Sequence, residues 1–173
     1  QYKKISPFCS DIQLLPLPDS SIDLIFSAHA LEPNKSNIKE ILKELFRVAK
    51  KTLIFFEPSF QYNSEKGKKR MKKFDYISDL DTLIKELGGR LVEKWKTKTQ
   101  KNELNPTACY VVQIEKTDLK KPFFTTPGTN FILRKEDNFY QCKEFGLHYP
   151  ILKKIPLFRE QFGILSSALV NDK

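Results

Sequence analysis

The chain has 173 residues, with 30 Lys and Arg against 21 Asp and Glu for a net charge of +9, and 40% of its residues are apolar and 12% aromatic. That composition closes a core in one medium domain, or in one domain with a small appendage, and excludes wholesale disorder and collagen-like or repeat architectures. No run approaches the ~20 apolar residues of a membrane helix, and the opening QYKKISPF lacks an apolar signal core, so a soluble, cytosolic protein without membrane contact is expected.

In chain order, residues 8–19 read as a strand end followed by a loop, because Pro16 and Pro18 remove backbone donors. Ile22 to Phe26 is a compact apolar run of the kind buried on both faces. From Lys35 to Lys50, the residues Ile38, Ile41, Leu42, Leu45 and Val48 form one helical stripe, with Asn37 and Glu40 as the start signal. Thr52 to Phe56 is the next strand, stopped by Glu57-Pro58. Strand, helix, strand, with both strands apolar throughout, implies a parallel sheet covered by helices.

A second helix is expected over Ser78 to Leu87, capped by Ser78 and ended by Gly88. Strands at Arg90 to Lys96 and Ala108 to Glu115 follow, too closely linked for a helical crossover, which suggests an antiparallel hairpin at the sheet edge. Near Thr117 to Pro122 the composition changes. The remainder shows strand-like pieces, Phe131 to Arg134 and Phe139 to Cys142, without a helix before Gln161. The expected organisation is therefore 1–117 as an α/β domain and 118–173 as a small β-rich unit. The three cysteines, Cys9, Cys109 and Cys142, form no C-x-x-C pair, which argues against a disulfide framework and leaves too few thiolates for zinc.

Ligands of open parallel sheets bind off the carboxyl ends of strands, and three segments fall there. Asp11 and Ile12 offer a carboxylate and a backbone N–H suited to an adenine edge; a turn or helix-cap role explains Asp11 equally. His29 and Glu32, three apart in a loop entering a helix, can reach one site with His29 as base, or His29 is a hydrogen-bonded structural residue. Glu57 can orient a substrate amine or hydroxyl, or cap the helix that follows.

The run D-I-Q-L-L-P-L-P-D-S-S-I-D-L-I-F-S-A-H-A-L-E at Asp11 to Glu32, L-F-R-V-A-K at Leu45 to Lys50 and T-L-I-F-F-E-P at Thr52 to Pro58 resemble the later half of a class I S-adenosylmethionine-dependent methyltransferase. The resemblance implies a partial Rossmann-like sheet with an antiparallel last strand over the first two thirds of the chain, and S-adenosylmethionine as cofactor. It implies that Asp11 and Ile12 contact adenine and that Ser27 and Ala28 lie beside the methionine part. It places His29, Glu32, Glu57 and Tyr62 on the acceptor side, with His29 and Glu57 as catalytic candidates. Pro33 stands where the family's commoner wording has a histidine, so that position's role lapses. No G-x-G occurs in the chain. The family's glycine-rich loop and ribose-binding acid would precede Gln1, which implies a fragment completed by an upstream segment and inactive alone.

Lys66, Lys68, Lys69, Arg70, Lys72 and Lys73 concentrate positive charge next to this expected substrate mouth. A solvated helix is the simpler explanation, and RNA or another anionic ligand the alternative. The last unit resembles the short zinc-ribbon-like domain of the activator of tRNA methyltransferases in its Tyr149-Pro150-Ile151-Leu152 and Ile155-Pro156 wording. The family's first C-P-x-C is replaced by Thr126-Pro127-Gly128-Thr129 and only Cys142 survives from the second pair, so no metal is expected even with His148 nearby. The unit would stand instead on Phe131, Phe139, Phe145, Tyr149 and Phe158. The overall expectation is a methyltransferase acting on an acceptor of unspecified class, with a docking module for another methyltransferase or for RNA as the alternative.

Overall fold

The computed structural model describes residues 5–74, 76, 79–98, 102–117 and 120–166. The chain forms two compact units: 22–119, and a discontinuous one made of 1–21 together with 120–173. The composition change near 117–122 therefore coincides with a division, but the first 21 residues group with the C-terminal unit and not with the sheet that follows them. Backbone hydrogen bonds are the reason: Cys9 N–H donates to Pro156 O (2.9 Å), Phe158 N–H to Cys9 O (2.7 Å) and Thr125 N–H to Pro16 O (3.0 Å).

The unit 22–119 contains β1 (Ile22–Ala28), a 3-10 turn at Glu32–Asn37, α1 (Ile38–Val48), β2 (Ala49–Pro58), α2 (Glu65–Lys73), α3 (Leu80–Glu86), β3 (Arg90–Lys96) and β4 (Thr107–Gln113). The sheet order is β1-β2-β4-β3. β1 and β2 are parallel, and β4 runs antiparallel to both β2 and β3. This is the mixed α/β sheet with an antiparallel edge hairpin that the strand lengths and linkers suggested.

Burial alternates along β2. Leu53, Phe55 and Glu57 are fully buried, as are Ile41, Leu42 and Ile84 of α1 and α3. A Cβ added at Gly89 would lie 2.7 Å from Phe46 Cε1 and 3.0 Å from Ile84 Cγ2, so that glycine lets the two helices approach the turn into β3. The other face is different. Leu24 is 53% and Phe26 63% exposed on β1, which corrects the expectation of a strand buried on both faces. Among the described residues β1 pairs only with β2, at the end of the four-stranded order, and its outer side has no neighbouring strand there.

Helix boundaries follow the sequence signals with small shifts. Asn37 occupies the N-cap of α1 without a side-chain cap bond, whereas Ser64 caps α2 by accepting from Gly67 N–H at 3.2 Å. Gly88, at φ 81°, ends the α3 turn. The Ser78 cap lies outside the described residues, and the N-cap position of α3 is Asp79.

The second unit carries β5 (Arg134–Lys135), β6 (Phe139–Cys142), β7 (Leu147–Leu152), β8 (Ile155–Pro156) and β9 (Ile164–Leu165) in antiparallel pairings, with a 3-10 turn at Glu160–Phe162. Its core is Leu133, Cys142, Tyr149 and Phe158, flanked by Phe8, Phe124, Tyr140 and Leu147. Phe8 and Phe124 meet edge to face at 5.5 Å, and Phe124 lies 4.8 Å from Phe158. Of the aromatics expected to hold this unit, Tyr149 and Phe158 do so. Phe131 and Phe145, 45% and 46% exposed, meet each other edge to face at 4.7 Å outside that core. Phe8 and Phe124, half-buried, pack against that core in their place, because the N-terminal segment lies across β8.

Candidate functional site at the carboxyl ends of the parallel strands

β1 and β2 end side by side, and the loop leaving β1 folds back onto the end of β2. Its anchor is Glu57, which is fully buried. Ser27 Oγ–H donates to Glu57 Oε1 at 3.1 Å, Leu31 N–H to Oε1 at 3.2 Å and Glu32 N–H to Oε2 at 3.3 Å. The carboxylate thus satisfies two backbone donors that the start of the 3-10 turn would leave unpaired. Burial pushes the Glu57 pKa up, and this outweighs the Leu31 amide, the Ser27 hydroxyl, the Glu32 amide and the His29 charge, which all pull it down.

His29 sits at the apex of that loop with φ 52°, in the left-handed region where few side chains are found. Contacts on three sides hold it there: its N–H donates to Phe56 O at 2.9 Å, its Nδ1 lies 3.4 Å from Glu32 Oε2 and its Nε2 2.9 Å from Thr107 Oγ1. An ionised carboxylate only accepts, so Glu32 favours the tautomer with the proton on Nδ1, and Nε2 then accepts from the Thr107 hydroxyl. The ring remains exposed, with 45% of its side-chain surface open. Ser27, His29, Glu32 and Glu57 are therefore one cluster, with exposed Ala28 beside it. Thr107 joins them from 78 residues away, and no local signal announces it.

Tyr62 belongs to a neighbouring cluster over β3 and β4. Its hydroxyl donates to Lys94 O at 3.4 Å, and Lys94 Nζ lies 5.7 Å from the Tyr62 ring and 4.8 Å from that of Tyr110. The same ammonium donates to Asp81 Oδ2 at 2.7 Å and Gln61 Oε1 at 2.6 Å. Burial, followed by the charge of Asp81 among the raising influences, pushes the Tyr110 phenol up to about 12. Ser59, Phe60, Gln61, Asp79, Asp81, Lys94 and Tyr110 line a small cavity of about 80 Å³ here. Lys94 was not foreseen, since its partners lie on a helix, a loop and another strand.

The basic segment forms α2. Lys68 and Lys72 lie 5.8 and 5.7 Å from the Phe60 ring, and Arg70 lies 5.5 Å from Phe74 and 5.2 Å from Tyr76. Aromatic partners thus accompany the charge, although Phe60, Phe74 and Tyr76 all lie outside the basic run itself. Met71 is fully buried, while Phe74 is 57% exposed.

Asp11 and Ile12 lie in the other unit. Asp11 Oδ1 accepts from Gln13 N–H at 2.9 Å and Asp11 O from Leu14 N–H at 3.1 Å, a carboxylate-anchored turn and not a strand end. In the same unit Cys142 Sγ lies 3.3 Å from Glu144 Oε2, and His148 stacks on Phe139 at 4.6 Å. Among the described residues no group of three His, Cys, Asp or Glu side chains is placed to hold a metal ion. Nor is any helix there long and apolar enough to cross a membrane.

A family model described as "Methyltransferase domain" matches residues 1–56. None of the curated proteins compared matches the chain. Among solved structures, the magnesium protoporphyrin IX methyltransferase of Synechocystis PCC 6803, crystallised with bound SAH, aligns at 13% identity and a TM-score of 0.44 over 60% of this chain and 48% of its own. A SAM-dependent methyltransferase from Aquifex aeolicus aligns at 21% identity and a TM-score of 0.43 over 60% of this chain and 52% of its own. The chain thus spans about half the length of these structures.

Proposed function

We propose that the chain is part of an S-adenosylmethionine-dependent methyltransferase. The observation that carries this reading is the match of residues 1–56 to a methyltransferase-domain model. That stretch contains Asp11, Ile12, Ser27, Ala28, His29 and Glu32, and it stops one residue before Glu57. The residues suit the cofactor's chemistry. Ser27 and the small, exposed Ala28 leave room beside the β1 end for the methionine part. When bound, S-adenosylmethionine supplies an electrophilic methyl group.

In this reading His29 takes the acceptor's proton on Nε2, where the Thr107 hydroxyl now donates. Glu32 fixes the ring tautomer and faces the acceptor, and Tyr62 borders its entrance. Glu57 acts through the loop: it positions Ser27, Leu31 and Glu32, and is closed off from any substrate by its burial. Calorimetric titration of the full-length gene product with S-adenosylmethionine tests the assignment. Binding that weakens about tenfold or more when Ala28→Trp fills the space beside the β1 end is expected, and no heat at millimolar ligand overturns it.

The aromatic contacts of Lys68, Lys72 and Arg70 favour a second reading, in which α2 docks on RNA. Salt-sensitive RNA binding that disappears when Lys68, Lys69, Lys72 and Lys73 become Glu would support it.

A further inference from the structure

The hairpin joining β7 to β8 turns through two residues, since Leu152 pairs with Ile155. Those residues are Lys153 and Lys154, at φ 49° and 69°. Both central positions of such a turn require left-handed backbone, which Asn, Asp and Gly adopt at little cost and other residues do not. A lysine also lacks the short polar side chain with which Asn or Asp satisfies the turn. Turn stability therefore does not account for either lysine.

What the pair does achieve is placement. Lys153 and Lys154 line a concavity of about 480 Å³ together with Lys135, Asp137, Asn138, Tyr140, Ile151 and Pro156. Lys135 comes from β5, opposite Tyr140 in the β5–β6 ladder. None of the three lysines makes an ion pair with another described residue, and Asp137 is the one carboxylate on the lining. The rim is fixed by backbone, because Ile151 N–H donates to Asn138 O at 2.8 Å and Leu157 N–H to Pro150 O at 3.0 Å. Burial pushes the Tyr140 phenol up, so it is a neutral O–H donor at ordinary pH.

We propose that this concavity binds the phosphoryl group of a small phosphorylated molecule, with Lys135, Lys153 and Lys154 on the phosphate oxygens and Asn138 and Tyr140 as neutral donors. Three ammonium groups exceed what one carboxylate ligand needs, whereas a phosphomonoester brings three acceptor oxygens and close to two negative charges. Ile151 and Pro156 give the organic part an apolar wall. A nucleic-acid backbone is the poorer occupant: the three lysines line one hollow, and Asp137 stands among them. The assignment goes beyond the methyl-transfer reading and stands without it.

The test exploits the turn. In K153N/K154G the charges are lost while the backbone gains the residues its φ values favour, so the melting midpoint of the variant should rise and misfolding cannot explain lost binding. Inorganic pyrophosphate titrated into the full chain at low salt should bind, and weaken by about tenfold or more in the variant. K135Q, which leaves the turn untouched, should weaken binding by about threefold or more. Equal pyrophosphate affinity in wild type and K153N/K154G overturns the site. So does lysine-dependent binding of single-stranded RNA with no binding of pyrophosphate or glycerol phosphate.

Discussion

A carboxylate removed from water yet accepting three hydrogen bonds carries two opposed effects in one residue. At Glu57 burial prevails, so the folded chain binds this proton more tightly than the unfolded chain. Stability linked to Glu57 is therefore fully present below the ordinary carboxylate range and is lost as pH climbs from about 4.5 through the raised value. Urea unfolding of wild type against Glu57→Gln should show that slope in wild type and its absence in the variant. At neutral pH the variant should also lose about 1–3 kcal/mol, because an amide NH2 then faces a backbone N–H it cannot accept from. A slope of opposite sign would contradict the account. Strand-end position nominated His29, Glu32 and Glu57 from the sequence, and the family resemblance added Ser27. It could not say that Glu57 faces inward and His29 outward, because that depends on the Leu31 and Glu32 amides and on Thr107 across the sheet.

Elements were legible where periodicity was strong. The α1 stripe, the parallel β1–β2 pair and the β3–β4 hairpin follow from apolar spacing and linker length. The exposure of Leu24 and Phe26 does not, since an apolar run reports the preference of a strand and not whether anything covers it. α2 shows a similar gap between local preference and context. Gly67 sits inside this helix, where Ala would ordinarily add about 1 kcal/mol of stability. Yet its position abuts the buried side chain of Asn63, which donates to Leu104 O at 3.0 Å and Met71 Sδ at 3.2 Å and accepts from Ser64 N–H at 2.8 Å. A methyl group there would displace that hub. Gly67→Ala should therefore destabilise by about 1–3 kcal/mol and speed hydrogen exchange along α2, contrary to the propensity scale.

For the whole molecule, the main surprise is connectivity. Residues 1–21 and 120–173 form one unit, and the chain between them forms the other. Reading along the sequence joined 8–21 to the strand that follows, because partners such as Asp19 and Asn130, 111 residues apart, leave no local trace. Lys120 N–H donates to Ser20 O at 2.9 Å, so the two crossing points of the chain lie side by side. Excising 22–119 and joining Ser21 to Lys120 through a short Gly-Ser linker should yield a product with a cooperative melt and near-ultraviolet circular dichroism. The segment 120–173 alone should lack both, since burial of the Phe8 ring by itself contributes about 2 kcal/mol. A cooperative melt of the isolated segment would refute this.

That arrangement also sets a timetable. During synthesis Phe8, Cys9 and Asp19 emerge before the sheet, but the partner of Asp19 follows 111 residues later, roughly 5–20 s at ordinary elongation rates. The intervening sheet has time to fold completely while the opening segment waits with Phe8 uncovered. Residues made ahead of the sheet thus find their place after it, and a chain stalled before Asn130 would display them to whatever protects or degrades unfinished proteins.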